Sequence, residues 1–378
     1  MKIIIGVGIA GHPISAAGNT WAFLQWALGF RSLGWEVWLV EQVDSRQCID
    51  VNFQPVDFDR SANFSHWKKI TEEFGFSCSL FVDGKTENEK DFFQFARDAK
   101  VFLNISGHFK QHRVVAHIPH RIYLDLDPAF TQIWASAYHC DMNFEGHNHF
   151  FSVGTRIASA RIPVTGHTWI PTPPPVDLTF WTPQERATSP SLNHWTTVTH
   201  WYGYNDIEWD GMPYTGKAAE FKKISKLPSM TSASLMLAAD LKPENEEYAE
   251  IVSQGWKIYP ASEICGDWKT YRQFLADSRG EFAMAKGGYV TSRCGWFSDR
   301  SACYLALGKP VILQETGWSE FFKTEKGLLS FTDLSSAVDA LKKIESDYES
   351  HSRAARKIAE KFLDARKVAH NLLNNIGL

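Results

Sequence analysis

Ser292-Arg-Cys-Gly-Trp-Phe-Ser-Asp-Arg-Ser-Ala-Cys-Tyr-Leu-Ala-Leu-Gly-Lys-Pro-Val-Ile-Leu-Gln-Glu-Thr-Gly-Trp-Ser-Glu320 is the stretch on which the fold turns. It opens as loop. Ser298 has the side chain of an N-cap, residues 299–307 read as helix, Gly308 stops it, and residues 310–314 read as a buried strand. A helix start of this kind presents free backbone N–H groups and the positive end of the helix dipole to an anion. Arg293 and Arg300 can add charge-assisted bonds, which makes a diphosphate the natural guest. The loop after the strand carries Thr316, Gly317 and Glu320. Glycine lets backbone approach a ligand closely, and a carboxylate accepts hydrogen bonds from sugar hydroxyls.

Outward from this stretch the same alternation continues. Upstream, strands are expected at 195–200, 234–239, 257–259 and 281–285, with helices at 217–224, 243–254 and 267–276. Downstream, residues 333–344 read as helix and the charged, periodic run 351–376 as a long surface helix. At the N-terminus a strand over 2–7, a loop over 8–18, a helix over 19–33 and a strand over 36–40 make a βαβ unit. The helix has Trp21, Leu24, Ala27 and Leu28 at helical spacing, and Gly34 ends it. Later strands of that sheet are expected at 101–104, 121–126 and 138–144. Pro171, Pro173, Pro174, Pro175, Pro183 and Pro190 interrupt the pattern and mark a linker. The fold class is therefore α/β. The predicted organisation is a domain over 1–170, a linker over 171–190, a second domain over 191–350 and a closing helical segment over 351–378.

With 378 residues the chain is long enough for two cores. Its net charge of −4 leaves no global basic field to release counterions from a nucleic acid, so small molecules are the expected partners and nucleic acid is not. Cys48, Cys78, Cys140, Cys265, Cys294 and Cys303 form no C-x-x-C, which suits a reducing cytosol better than a zinc ribbon. The apolar run 3–10 is too short for a membrane helix, so no integral membrane segment is expected. Nothing in the sequence sets the oligomeric state. The 15 Trp, 26 Phe and 11 Tyr can stack on sugar rings or simply fill cores.

Several residues carry possible chemistry. Gly6-Val-Gly8-Ile-Ala-Gly11 satisfies the dinucleotide fingerprint, but Pro13 follows closely, and Glu36 and Glu41 lie beyond the roughly 20-residue spacing of its acid. The same loop offers His12 just past a strand end, either as a general base or as a loop histidine bonded to backbone. Asp125 or Asp127, at another strand end, would supply the carboxylate that orients it. Gly18 and Asn19 stand at the start of the first helix, facing an acceptor or merely capping. Lys217 follows the first strand of the second domain, and Lys286 precedes the Ser292 loop; each is a candidate phosphate ligand or a solvated lysine. Trp201, Trp296 and Trp318 follow strand ends and can stack on a base or pack. The pairs His117/His120 and His147/His149 lack a third ligand of clear spacing, so no metal is expected.

At these residues the chain resembles the nucleotide-sugar glycosyltransferases of the GT-B fold. Cys294-Gly-Trp-Phe-Ser298 is similar to the Cys-Gly-Trp-Asn-Ser core of the donor signature in the family 1 enzymes, with Arg293 where they carry histidine. Leu307-Gly-Lys-Pro-Val-Ile312 with Thr316-Gly-Trp-Ser-Glu320 is similar to the strand and glycine-plus-glutamate loop of many bacterial members. The resemblance covers about the last hundred residues. It implies two Rossmann-like domains facing across a cleft and a last helix crossing back onto the first. It also implies a nucleotide-diphosphate sugar as co-substrate, with donor contacts among Lys217, Lys286, Arg293, Gly295, Trp296, Ser298, Asp299, Arg300, Thr316, Gly317 and Glu320. A metal-independent, inverting transfer with His12 as base and no further cofactor is the expected chemistry, on a small-molecule or glycan acceptor. The donor-helix glutamate and the E-x7-E pair of many relatives are missing, with Ser301 and Cys303 at the nearest positions. A nucleotide-sugar epimerase, a nicotinamide-dependent oxidoreductase using Gly6, Gly8 and Gly11, and a non-catalytic sugar-binding protein remain open at this point.

Overall fold

In the computed structural model, which describes residues 1–14, 16–110, 112–183 and 193–378, the strands divide between two parallel sheets and one small hairpin. The first sheet holds β1 (Lys2–Gly6), β2 (Glu36–Val43), β3 (Ser77–Val82), β4 (Val101–Ile105), β5 (His120–Asp125), β6 (His149–Ser152) and β7 (Trp169–Pro171), in the order β3-β2-β1-β4-β5-β6-β7. Ile3, Ile4 and Ile5 are wholly buried, because helices cover both faces of a parallel sheet and leave no polar side for alternation. The second part has β8 (Trp195–Thr199), the antiparallel hairpin β9 (Ile207–Trp209) and β10 (Met212–Tyr214), then β11 (Leu235–Ala239), β12 (Lys257–Pro260), β13 (Gly280–Ala283), β14 (Val311–Gln314) and β15 (Leu328–Phe331). Its sheet runs β12-β11-β8-β13-β14-β15, repeating the winding of the first. In each sheet the order of connection reverses once, between β1 and β4 and between β8 and β13. A doubly wound sheet opens its ligand crevice at the carboxyl ends of such strands.

The first helix, Ala17–Ser32, buries Trp21, Phe23, Leu24, Trp26, Ala27, Leu28 and Phe30 on several faces, since it lies between its own sheet and the end of the chain. The closing segment is not one long surface helix. Tyr348–Ile358 passes through a π-helical turn, Ala359–Leu363, and Asp364 then leaves helical geometry and caps Ala365–Asn375 by accepting from the Arg366 amide. The break is held by a crossing strand of chain, because Val176 donates to Leu363 O at 2.7 Å and accepts from the Ala365 amide at 3.0 Å. Ala365–Asn375 buries Val368, Ala369, Leu372 and Leu373 against the first helix. Gly29 makes that approach possible: a Cβ there would stand 2.6 Å from Ala365 O.

The expected strand over 138–144 does not form. His139 and Asn143 take positive φ of 52° and 60°, which turns the chain, and β6 starts beyond Gly146. Residues 184–190 of the expected linker lie outside the described residues. Among the described residues no helix is long and apolar enough to cross a membrane, and no three His, Cys, Asp or Glu side chains gather as a metal site.

Candidate functional site

The carboxyl ends of the two sheets face each other. Lys286, just past β13, meets Asp127, just past β5, with Nζ 2.9 Å from the carboxylate, and Tyr289 donates to the same oxygen at 2.6 Å. The ammonium also lies 3.4 Å from the centroid of the Tyr204 ring. Burial pushes the Asp127 carboxyl up, yet the Lys286 charge and the Tyr289 hydroxyl pull harder, and it sits below the ordinary carboxylate range. One flank of the crevice is closed by backbone: the Thr155 and Arg156 amides donate to Gly295 O and Cys294 O, each at 3.0 Å, and Arg161 N donates to Ser292 O at 2.9 Å. The opposite flank carries Lys69 with Asp267 at 2.6 Å and Lys269 with Glu73 at 2.5 Å.

On the first-domain side, His12 is exposed and its Nδ1 lies 3.0 Å from Gly8 O. A carbonyl only accepts, so Nδ1 carries the hydrogen, and Nε2 of the neutral ring keeps its lone pair. His108, just past β4, stands edge-on to His12 with ring centroids 6.0 Å apart, and burial holds its pKa down at about 4. The loop between β1 and the first helix is not an empty phosphate cradle. The Ile9, Ala10 and Gly11 amides all donate to the buried Glu41 carboxylate, at 2.7, 2.8 and 2.6 Å. Burial pushes the Glu41 carboxyl up, and the three amides, which bond its ionised form, act against that. The fingerprint glycines have internal reasons: a Cβ on Gly6 would stand 2.8 Å from the Asn104 side chain, and one on Gly8 would stand 2.9 Å from the His108 ring. The dinucleotide reading therefore loses its site.

On the second-domain side, Lys217 opens the Lys217–Ile224 helix and donates to Thr199 Oγ1 at 3.0 Å. Burial, helped by the charges of Arg300 and Lys286, brings its pKa down to about 7. His200, at the end of β8, pairs with Asp240 at the end of β11; that hydrogen bond raises its pKa. The Asp299–Ala306 helix starts beside them. Ser298 takes the cap position, but its buried hydroxyl makes no capping bond, and the Asp299 and Arg300 amides turn to the Asp299 carboxyl instead. Burial raises the Asp299 carboxyl, with Arg300 and Lys217 acting against it.

Other expected contacts are committed elsewhere. Asp125 is not the partner of His12: Thr131, Gln132 and Ser152 donate to it at 2.6, 3.0 and 2.8 Å in full burial, where it fixes the turn after β5. Gly18 and Asn19 do not cap the first helix, which starts at Ala17. Gly18 lies under Tyr271 of the second domain, and the Asn19 amide reaches towards Gly8 O at 3.5 Å. Arg300 is drawn inward, with Nε on Glu281 at 2.5 Å and NH1 on Val198 O at 2.6 Å. Glu320 pairs with Arg156 at 2.9 Å and with Arg293 at 3.4 Å. Buried Thr316 donates to Trp296 O at 2.7 Å, and Gly317, at φ 99°, packs beneath Arg156. Gly295 belongs to the junction: at φ 75°, its Cβ would stand 2.5 Å from both Arg156 N and Thr155 Oγ1. Trp296 stacks on Tyr289 at 4.6 Å, whereas Trp201 and Trp318 are core. His120 and His149 hydrogen-bond each other at 3.2 Å, His117 bonds Ala96 O, and His147 meets Asn104.

His108, His200, Asp240, Glu41 and Arg156 are additions to the expected set. His108 and His200 follow strand ends just as His12 does, a signal present in Ser106-Gly-His108 and Thr199-His200. Arg156 has no motif; only its contacts with the Arg293 and Glu320 region reveal it.

No family model and no curated protein matches the chain. Solved structures do match over nearly its whole length. AviGT4, a glycosyltransferase involved in avilamycin A biosynthesis, aligns at TM-score 0.56 and 14% identity, with 99% of this chain and 96% of that one covered. HepE of Anabaena, in complex with UDP and glucose, aligns at TM-score 0.53 and 13% identity over 100% and 99% of the two chains. Sucrose-phosphate synthase of Thermosynechococcus elongatus aligns at TM-score 0.53 and 11% identity over 100% and 98%. The chain has the GT-B fold: two Rossmann-like α/β domains whose strand ends face each other, with the last helix returned to the first domain.

Proposed function

We propose that the protein is a glycosyltransferase that holds a nucleoside-diphosphate sugar, of the UDP class, on its second domain and transfers the sugar to an acceptor hydroxyl presented by the first. One observation carries the reading: a histidine whose Nδ1 is committed to backbone stands on one side of the crevice, opposite a cationic wall of Lys217, Lys286 and His200 at the start of the Asp299–Ala306 helix. The fold of HepE, a protein crystallised with UDP and with UDP-glucose, supports the same class of donor.

In this reading the diphosphate takes the start of the Asp299–Ala306 helix and the ammonium of Lys217. As the bond from the anomeric carbon to the diphosphate oxygen breaks, charge builds on that oxygen, and dipoles and cations already in place stabilise it without reorganisation. His12 Nε2 takes the proton of the acceptor hydroxyl as its oxygen attacks the opposite face, giving inversion. Gly8 O, rather than a carboxylate, orients the base and helps to hold the imidazolium. No step calls on a metal, which is a proposal about the mechanism and is tested by adding a chelator.

His12→Ala is the discriminating variant. It is expected to leave the UDP-induced rise in melting temperature unchanged while lowering turnover about 100-fold or more. An unchanged turnover would remove the base from the mechanism. An inverted anomeric configuration in the product, read by NMR, tests the single displacement and separates transfer from epimerisation.

A further inference from the structure

We infer that Glu41 is a positioning residue for the base: its carboxylate occupies the place a pyrophosphate takes in a dinucleotide-binding loop, and so fixes the Gly8–His12 turn without any ligand. The inference rests on the role proposed for His12. The register of the sheet sets it up, because Gly6 pairs with Val40 and Val7 donates to Val40 O at 3.0 Å. Glu41 is thus one step beyond the end of β1. Successive side chains point to opposite faces of a strand, and that of Glu41 lies beneath the loop that leaves β1.

Three convergent amides, the arrangement by which such loops grip phosphate, here close on a group from the chain itself. Oε2 takes Ile9 and Ala10, and Oε1 takes Gly11. The turn is then closed by Asn63, which donates to Ala10 O at 2.8 Å, and by the His12 amide, which donates to Ile9 O at 3.3 Å. What emerges is the contact of His12 Nδ1 with Gly8 O, and hence a lone pair on Nε2. A glutamine cannot replace the carboxylate. Either way round, its NH2 would face one or two of the three amides donor to donor, and the turn must shift.

The test reads the imidazole directly and needs no acceptor. Nitrogen-15 NMR of the full chain, with His12→Ala identifying the His12 signals, is expected to show a single Nδ1–H tautomer in the native protein. In Glu41→Gln the ring is expected to revert to the tautomer mixture of an unconstrained histidine, while the UDP-induced melting shift stays unchanged because it reports the other domain. If Glu41→Gln does not fold, Glu41→Asp keeps the carboxyl group, withdraws it by one methylene, and is read in the same way. A folded variant that keeps Nδ1–H overturns the inference, since a merely structural carboxylate would lower the melting temperature and leave the tautomer alone. Undiminished transfer by His12→Ala would instead refute the base and leave the tautomer result standing.

Discussion

Replacing Lys286 with methionine keeps most of the side-chain volume and removes the charge that Asp127 faces across the crevice. The ion pair is 2.9 Å long, with the two side chains 17% and 27% exposed. At an effective dielectric of about 20 the attraction is about 6 kcal/mol, and desolvation offsets part of it. What remains after the change is a largely enclosed carboxylate held by the Tyr289 and Tyr204 hydroxyls, for which about 3 kcal/mol of destabilisation is reasonable. Asp127→Asn in the same background should then recover about 2 kcal/mol, because the uncompensated charge is gone. Urea unfolding followed by tryptophan fluorescence across the four proteins of the cycle gives the coupling. The loss should fall in the transition that separates the domains, as the two residues belong to different sheets. A coupling below about 0.5 kcal/mol would mean that solvent screens the pair, and that Lys286 is no fixed part of the crevice wall.

The His200–Asp240 pair sets a pH dependence. Because Asp240 raises the His200 pKa, the stabilisation is fully present below the unfolded value of about 6.5 and is lost as pH rises through the higher folded value. Melting temperature between about pH 6 and 8 should therefore fall more steeply in the native protein than in His200→Gln, and parallel curves would contradict the pairing. Gly29→Ala forces a methyl to within 2.6 Å of Ala365 O, so a loss of about 1–3 kcal/mol is expected, with earlier proteolysis of the last helix; unchanged stability would show that the two helices can slide apart freely.

How much of this was legible depends on how local each cause is. The Lys217–Ile224 helix and the start at Asp299 follow from apolar spacing and stop residues within a dozen residues, and both stand where the sequence places them. The 138–144 stretch has strand-like composition, but positive φ at His139 and Asn143 is imposed by turn geometry that its apolar pattern does not encode. Gly6, Gly8 and Gly11 match a motif whose usual reason is a ligand, whereas here Asn104, His108 and Glu41 supply the reason from elsewhere in the chain. Gly295 sits in a donor-like signature, yet the Thr155–Arg156 backbone that it admits is some 140 residues away in sequence, so its role in joining the domains is invisible from local pattern. Asp125 shows the same limit: a carboxylate at a strand end reads as chemistry until Thr131, Gln132 and Ser152 are seen to use all of it.

Isothermal titration of the native protein and of Lys217→Met with UDP, at neutral pH in buffers of different ionisation enthalpy, tests most directly whether the second domain grips a nucleoside diphosphate. Burial holds Lys217 near half-protonation at about pH 7, so an arriving diphosphate should restore its charge and draw a fraction of a proton from the buffer. The expected result is binding with proton uptake in the native protein, and at least about tenfold weaker binding with no uptake in the variant. Absence of binding by UDP and by the other nucleoside diphosphates, or equal affinity and equal uptake in the two proteins, would contradict it.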